Sequence, residues 1–315
     1  MKPPSPTQST VGRLGRAIGM RAGHVPEWTV EANPESFTAE VAQAWAEAGV
    51  NRISLGAQTF SHEALKWMGR LHTPDQVKVA VDRARNAGIS NVSVDLIFGL
   101  PDSVPRSWSD DLHRVSTLGV QHVSLYGLTV EGGTPLDLKV NEARVPMPSE
   151  SRYRSEFLEA SVVMTAAGFV HYEVSNFARP GNASVHNRAY WRRVPYVGLG
   201  NGAHRFVDGR RWWNHRSWPE YASAVEAGRS PRENEEVPTG PQTRLEKLWL
   251  ELREAGGTPV PRNDAGVADL VEEWASRGLA CVEESHVRLT ADGWLLLDSL
   301  VVELDQVMAE KPVRR

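Results

Sequence analysis

Imidazole, amide and aromatic groups crowd into YEVSNFARPGNASVHNRAYW, residues 172–191. The imidazole of His186 is a transition-metal ligand at neutral pH, and Tyr190 and Trp191 beside it offer flat apolar surface. Asn187 adds an amide next to the imidazole. The expected setting is a loop between glycine-containing turns, where a large flat ligand is held and its metal ligated. On the residues alone, a loop histidine bonded to nearby backbone is the competing reading. Eleven tryptophans, several of them between residues 191 and 218, extend the choice between core packing and a pocket for a flat aromatic ligand.

A second group of polar residues recurs at the ends of short apolar runs. Glu31 and Asn33 follow one run, Gln58 ends the next with Arg70 beyond it, Asp95 sits inside SVDLIFGLP, and Glu131 follows in YGLTVEGGTP. A carboxylate within an apolar strand requires a hydrogen-bond partner or a ligand, because burial disfavours its ionised form. Each of these residues has an ordinary reading as a surface, loop or structurally bonded group. Their recurrence at successive strand ends favours one shared site, since loops at the carboxyl ends of parallel strands converge on one face.

The elements that must position these residues follow from the hydrophobic rhythm. From residue 28, β-branched runs alternate with helical patterns: strands near 28–32, 52–56, 92–98 and 122–128, and helices near 38–48, 61–66, 74–87 and 105–118. Gly49 and Gly88 stand where helix C-caps are expected. A further helix follows residue 148, with Ser149 or Ser151 as its cap and Gly168 at its end. Residues 192–241 read as irregular. Beyond them come helices from residue 243 and near 265–277, then a short hairpin and a closing helix.

Composition excludes several classes. The 315 residues are 41% hydrophobic and 23% charged with net charge -4, which gives no electrostatic reason to expect nucleic acid. No apolar run approaches a membrane span and no secretory segment is read at the start, so a cytoplasmic location is expected, with membrane contact at most transient. The sequence contains one cysteine, Cys281, read as a small buried hydrophobe; one thiol forms no internal disulfide.

Taken in chain order, TVEANPE, RISLGAQTF with LxxMGRLH, SVDLIFGLP, SLYGLTVEGGTP, YEVSNFARPG, HNRAYW and YVGLGNGAH resemble the HemW heme chaperones. That family is kin to the oxygen-independent coproporphyrinogen III oxidases of the radical S-adenosylmethionine (SAM) superfamily, and the resemblance runs over residues 28–305. It implies SAM contacts at Glu31, Gln58, Arg70 and Asp95. It also implies heme ligation by His186, with Asn187, Tyr190 and Trp191 completing the HNxxYW motif. The expected function is heme binding and transfer to acceptor apo-hemoproteins, with a homodimer among the compatible assemblies. Radical chemistry on coproporphyrinogen III and a cofactor-free protein-binding scaffold are the alternatives.

The family carries a CxxxCxxC-type loop that holds a [4Fe–4S] cluster, and no such run occurs in these residues. No radical enzyme activity is therefore expected of this chain, and truncation of a longer reading frame is favoured over a degenerate paralogue. The expected fold is α/β: a partial radical-SAM type (β/α) barrel missing its first two strands, with a small C-terminal winged-helix-like α+β module. Its expected divisions are 1–27, a poorly structured leader or remnant helix, then 28–240, the barrel, and 241–315, the C-terminal module.

Overall fold

The computed structural model describes residues 6–17, 19, 26–261, 263–283 and 285–309. The remainder of the expected leader, residues 1–5, 18 and 20–25, lies outside the described residues, as do the last six of the C-terminal module. The chain divides into two compact units, Met1–Val185 and His186–Arg315, whereas the sequence reading divides it near residue 240.

The first unit opens with helix α1 (Pro6–Ala17), which packs on α2 (Ala39–Ala48). Gly15 makes a close approach possible, since a Cβ there would drive into the Trp28 ring. Strands β1 (Thr29–Ala32), β2 (Arg52–Gln58), β3 (Asn91–Phe98) and β4 (His122–Gly127) alternate with α2, α3 (His62–Trp67), α4 (Pro74–Asn86) and α5 (Trp108–Thr117). Next come α6 (Pro135–Asn141), α7 (Glu150–Ala166) and a hairpin of β5 (Val170–Glu173) and β6 (Asn176–Ala178).

Local chemistry sets the helix boundaries. Thr38 accepts from the Val41 amide at 3.3 Å to start α2, and Gly49 closes it at φ +103°. Ser107 accepts from the Asp110 amide at 3.2 Å, so α5 begins at Trp108 and not at Pro105. Of the two serines that could start α7, Ser149 does so, accepting from the Arg152 amide at 3.3 Å.

These strands form one six-stranded sheet ordered β1-β2-β3-β4-β6-β5, with β1 to β4 parallel and the last two antiparallel. Parallel sheets are normally apolar on both faces because helices cover both. Here polarity alternates along the parallel strands. Ile53, Leu55, Val92, Val94, Leu96, Val123 and Leu125 occupy one face and are buried. Across the other run Ser54, Gly56, Ser93, Asp95, His122 and Ser124, aligned by the strand register. The result is one apolar face for helices and one polar face for a site.

At the division stands α8 (Val185–Trp191). Residues 192–241, expected to be irregular, instead hold strands β7 (His204–Val207), β8 (Arg210–Asn214) and β9 (Arg232–Glu236) in one antiparallel sheet, with α9 (Trp218–Glu226) between the last two. Paired strands dense in arginine, tryptophan and glutamate give no clean apolar alternation, so their period is masked in the sequence. After α10 (Gly240–Glu251) come β10 (Thr258–Pro259), α11 (Ala265–Ser276), β11 (Ala280–Glu283), β12 (His286–Leu289), α12 (Ala291–Trp294) and α13 (Leu297–Ala309). The three short strands pair in the order β10-β12-β11. Trp274 is fully buried beneath them and donates to Glu303 at 3.0 Å. Cys281 is exposed, not buried as expected, because alternation along β11 turns Ala280 inward and Cys281 outward. Among the described residues, no helix is long and apolar enough to cross a membrane.

Candidate functional site

On the polar face of the first unit, Glu31, Asn33, Gln58, Arg70 and Asp95 line one cleft of about 690 Å³. The positions flagged at successive strand ends thus converge. Glu131 is exposed beyond β4 and is not among the lining residues. Other lining residues escaped the sequence reading: Ala32, Ser36, Ser54, Gly56 and the apolar wall of Phe37, Val41 and Trp45 from α2 and its approach. The alternation of Ser54, Gly56 and Gln58 within RISLGAQ was the available signal.

Asp95 sits at the centre. Ser54 Oγ donates to both of its carboxylate oxygens, at 3.0 and 3.1 Å, from the neighbouring strand. Burial pushes its pKa up to about 6, opposed by the hydrogen bonds from Ser124 and Ser54 and reinforced by Glu31. Its side chain is half-buried because it faces the cleft. The expectation that a carboxylate here needs a partner or a ligand is met in part by Ser54, with the cleft still open beside it.

Gln58 carries the local strain. Its φ is +67°, a conformation that favours glycine, and strand pairing shifts between Leu55 and Gln58. The surroundings fix this turn: Thr59 Oγ1 donates to Asp111 at 2.7 Å, the Phe60 amide to Asp111 at 2.6 Å, and a His72 ring nitrogen lies 3.1 Å from the Ala57 carbonyl. Strain held by this many contacts is a mark of functional turns. Gly56 leaves room beside it, since a Cβ there would lie 2.9 Å from Gln58 Nε2 and displace that amide. Arg70 donates to Asn33 Oδ1 at 3.1 Å. Trp45 lines the cleft, and its Nε1 is buried with no hydrogen-bond partner among the described residues. Carboxylates, an amide, a guanidinium and an indole around one space suit a zwitterionic ligand bearing a nucleoside.

Elsewhere in the first unit, buried polar residues bond one another. Ser93 Oγ lies 2.8 Å from His122 Nδ1, and His122 Nε2 lies 2.9 Å from the Tyr172 hydroxyl. Burial holds the His122 pKa well below the usual imidazole range. Arg52 pairs with Glu27 at 3.6 Å, and Glu27 accepts from Ser184 Oγ at 3.2 Å and the Val185 amide at 2.9 Å.

The segment expected as a loop around His186 is ordered. Residues 172–178 belong to the β5–β6 hairpin, and HNRAYW forms most of α8. Helical period then sorts its side chains. His186 and Tyr190, four apart, share a face and meet edge to face at 4.6 Å, and Tyr190 meets Tyr196 in the same manner at 4.6 Å. Trp191, one position further round, instead lies over the Arg253 guanidinium at 4.6 Å. His186 itself is exposed, and Asn187 is half-buried. Tyr190 thus flanks the imidazole as expected, whereas Trp191 packs with Arg253.

Among the described residues no cluster of three His, Cys, Asp or Glu side chains is arranged to hold a metal ion. The one cysteine of the sequence, Cys281, stands on β11 in the second unit, so these residues do not fit a three-thiolate iron–sulfur cluster.

The radical SAM superfamily model matches residues 9–115, beginning inside α1. The chain is 34% identical over 279 residues to heme chaperone HemW of Bacillus subtilis, covering 86% of this chain and 73% of that protein. To heme chaperone HemW of Mycobacterium tuberculosis H37Rv it is 33% identical over 304 residues, covering 94% and 77%. Among solved structures it is similar to the radical SAM enzyme coproporphyrinogen III oxidase, HemN, of Escherichia coli, with TM-score 0.76 over 95% of this chain and 74% of that one. At 19% identity, that likeness establishes the α/β radical-SAM fold.

Proposed function

The chain belongs to the HemW heme-chaperone family of the radical SAM superfamily, and from that premise we propose that it binds heme and passes it to acceptor apo-hemoproteins. The observation that carries this reading is the exposed imidazole of His186 on an ordered helix, packed edge to face with the Tyr190 ring at a centroid separation of 4.6 Å. An exposed imidazole beside an aromatic ring suits reversible ligation of a flat iron-bearing ring. A cargo carrier needs that reversibility more than it needs a closed two-ligand pocket. Asn187, Tyr190 and Trp191 complete the motif, Tyr190 by bounding the imidazole and Trp191 by tying α8 to Arg253.

The cleft of the first unit suits SAM. Its sulfonium brings a positive charge that the carboxylates of Asp95 and Glu31 attract, while Gln58 and Arg70 offer the amide and the cation that a zwitterion requires. The elevated pKa of Asp95 falls when a cationic ligand enters, because opposite charge favours the carboxylate.

Hemin titration of the full chain and of His186→Ala tests the reading. The unaltered chain is expected to develop a Soret band with one heme per chain. H186A should weaken binding by at least about tenfold, the loss of one ligand bond. A spectrum and affinity unchanged in H186A would remove His186 as the ligand.

A further inference from the structure

Helix α8 has seven residues, none of them fully buried, and so does not hold its own conformation by length or by core packing. Glu27 accepts from its first amide at 2.9 Å, and the chain at and just past the end of α10 holds its later residues. The Arg253 guanidinium engages two indoles, Trp191 of α8 and Trp249 of α10, each at 4.6 Å from the ring centroid. Trp191 Nε1 is buried without a hydrogen-bond partner among the described residues, so this tryptophan is held by its ring. The next residue, Glu254, accepts from Arg188 Nε at 3.3 Å and pairs with Arg192 Nη2 at 3.5 Å.

The end of the helix is tied in a similar way. The Arg193 amide donates to Tyr190 O at 3.0 Å and the Val194 amide to Ala189 O at 2.9 Å, the paired closure that normally places glycine at the left-handed position. Arginine occupies it instead, with φ +54°. Its side chain pairs with Glu246 of α10 and lies 4.9 Å over the Phe206 ring. These two side-chain contacts hold a backbone conformation unfavourable to arginine.

We propose that Arg253 and Glu254 are positioning residues for heme ligation, fixing α8 so that the His186–Tyr190 face is presented in one orientation. This inference rests on the heme-ligand reading of His186. A single-ligand site gains most from such order, because any mobility of the helix is an entropic loss when the ligand binds. A loosened helix also lets the imidazole meet iron in several geometries, which shows as spectral heterogeneity.

Arg253→Met, Arg253→Lys and Glu254→Gln in the full chain, each titrated with hemin beside H186A, test this. R253M keeps the aliphatic stem, and E254Q keeps every carbon, so E254Q reports even if R253M fails to fold. Expected are about tenfold weaker heme binding in R253M and a smaller loss in E254Q, with a broadened Soret band and mixed spin states in the electron paramagnetic resonance spectrum. R253K should restore part of the affinity, because an ammonium keeps the charge without the planar stack. If R253M and E254Q bind with unaltered affinity and a single spectral form while H186A loses binding, the positioning role is wrong and the ligand assignment stands. If H186A is itself unchanged, both fall.

Discussion

Asp95 shows what one carboxylate can report. Its folded pKa of about 6 lies above the ordinary value of 3.8, and burial is the leading cause. Between those values the folded chain holds a proton that the unfolded chain releases, so this group stabilises the fold as pH falls through 6 towards 4. The contribution is absent above that window. Asp95→Asn should therefore lack about 1–2 kcal/mol of the acid-side gain seen in the unaltered chain, a figure reduced because the group faces an open cleft. Urea unfolding across pH 4–7 measures it, and parallel curves for the two chains would show that the carboxylate is not perturbed. The residue types at this site were readable in the sequence. That Ser54 would supply Asp95 with its hydrogen bonds was not, because the pairing depends on strand register.

Elements were legible where local chemistry acts alone. The helices of the first unit begin near their caps because a hydroxyl and an amide three residues later suffice to start them. Ser149 and Ser151 were equivalent in the sequence, and backbone geometry at Ser149 (φ -64°, ψ 151°) chose between them. Ser149→Ala should cost about 1 kcal/mol of stability and Ser151→Ala almost nothing, which thermal unfolding resolves. Equal losses would show that the cap is shared. The sheet of β7, β8 and β9 was not legible, since its strands hold their pairing through cross-strand stacks and ion pairs such as His204 on Trp213 and Arg211 with Glu236. Nor was α8, whose helical form draws on Arg253 and Glu254, more than sixty residues downstream.

For the whole molecule, the cleft and the HNRAYW helix draw their residues from different compact units. The cleft and the helix have no residue in common, and substitutions in separate residue sets are expected to act independently. Arg70→Ala is therefore expected to weaken SAM binding by about tenfold while leaving heme affinity within about threefold, and H186A to do the reverse. Isothermal titration of each ligand against both variants checks this. A large cross-effect would reveal coupling between the two ligands. The resemblance of ordered motifs foretold the family, and identities of 33–34% over most of the chain bear it out.

The sequence by itself determined the alternation of strands and helices, the polar residues at strand ends and the chemistry available to His186. These depend on residue type and on neighbours within a few positions. Tertiary structure alone decided that one face of the parallel sheet is polar, that Gln58 takes a left-handed turn into the cleft, and that Tyr190 and Trp191 part company. Each of those outcomes comes from contacts between residues distant in the chain, where register and packing select among arrangements that local preference leaves equal.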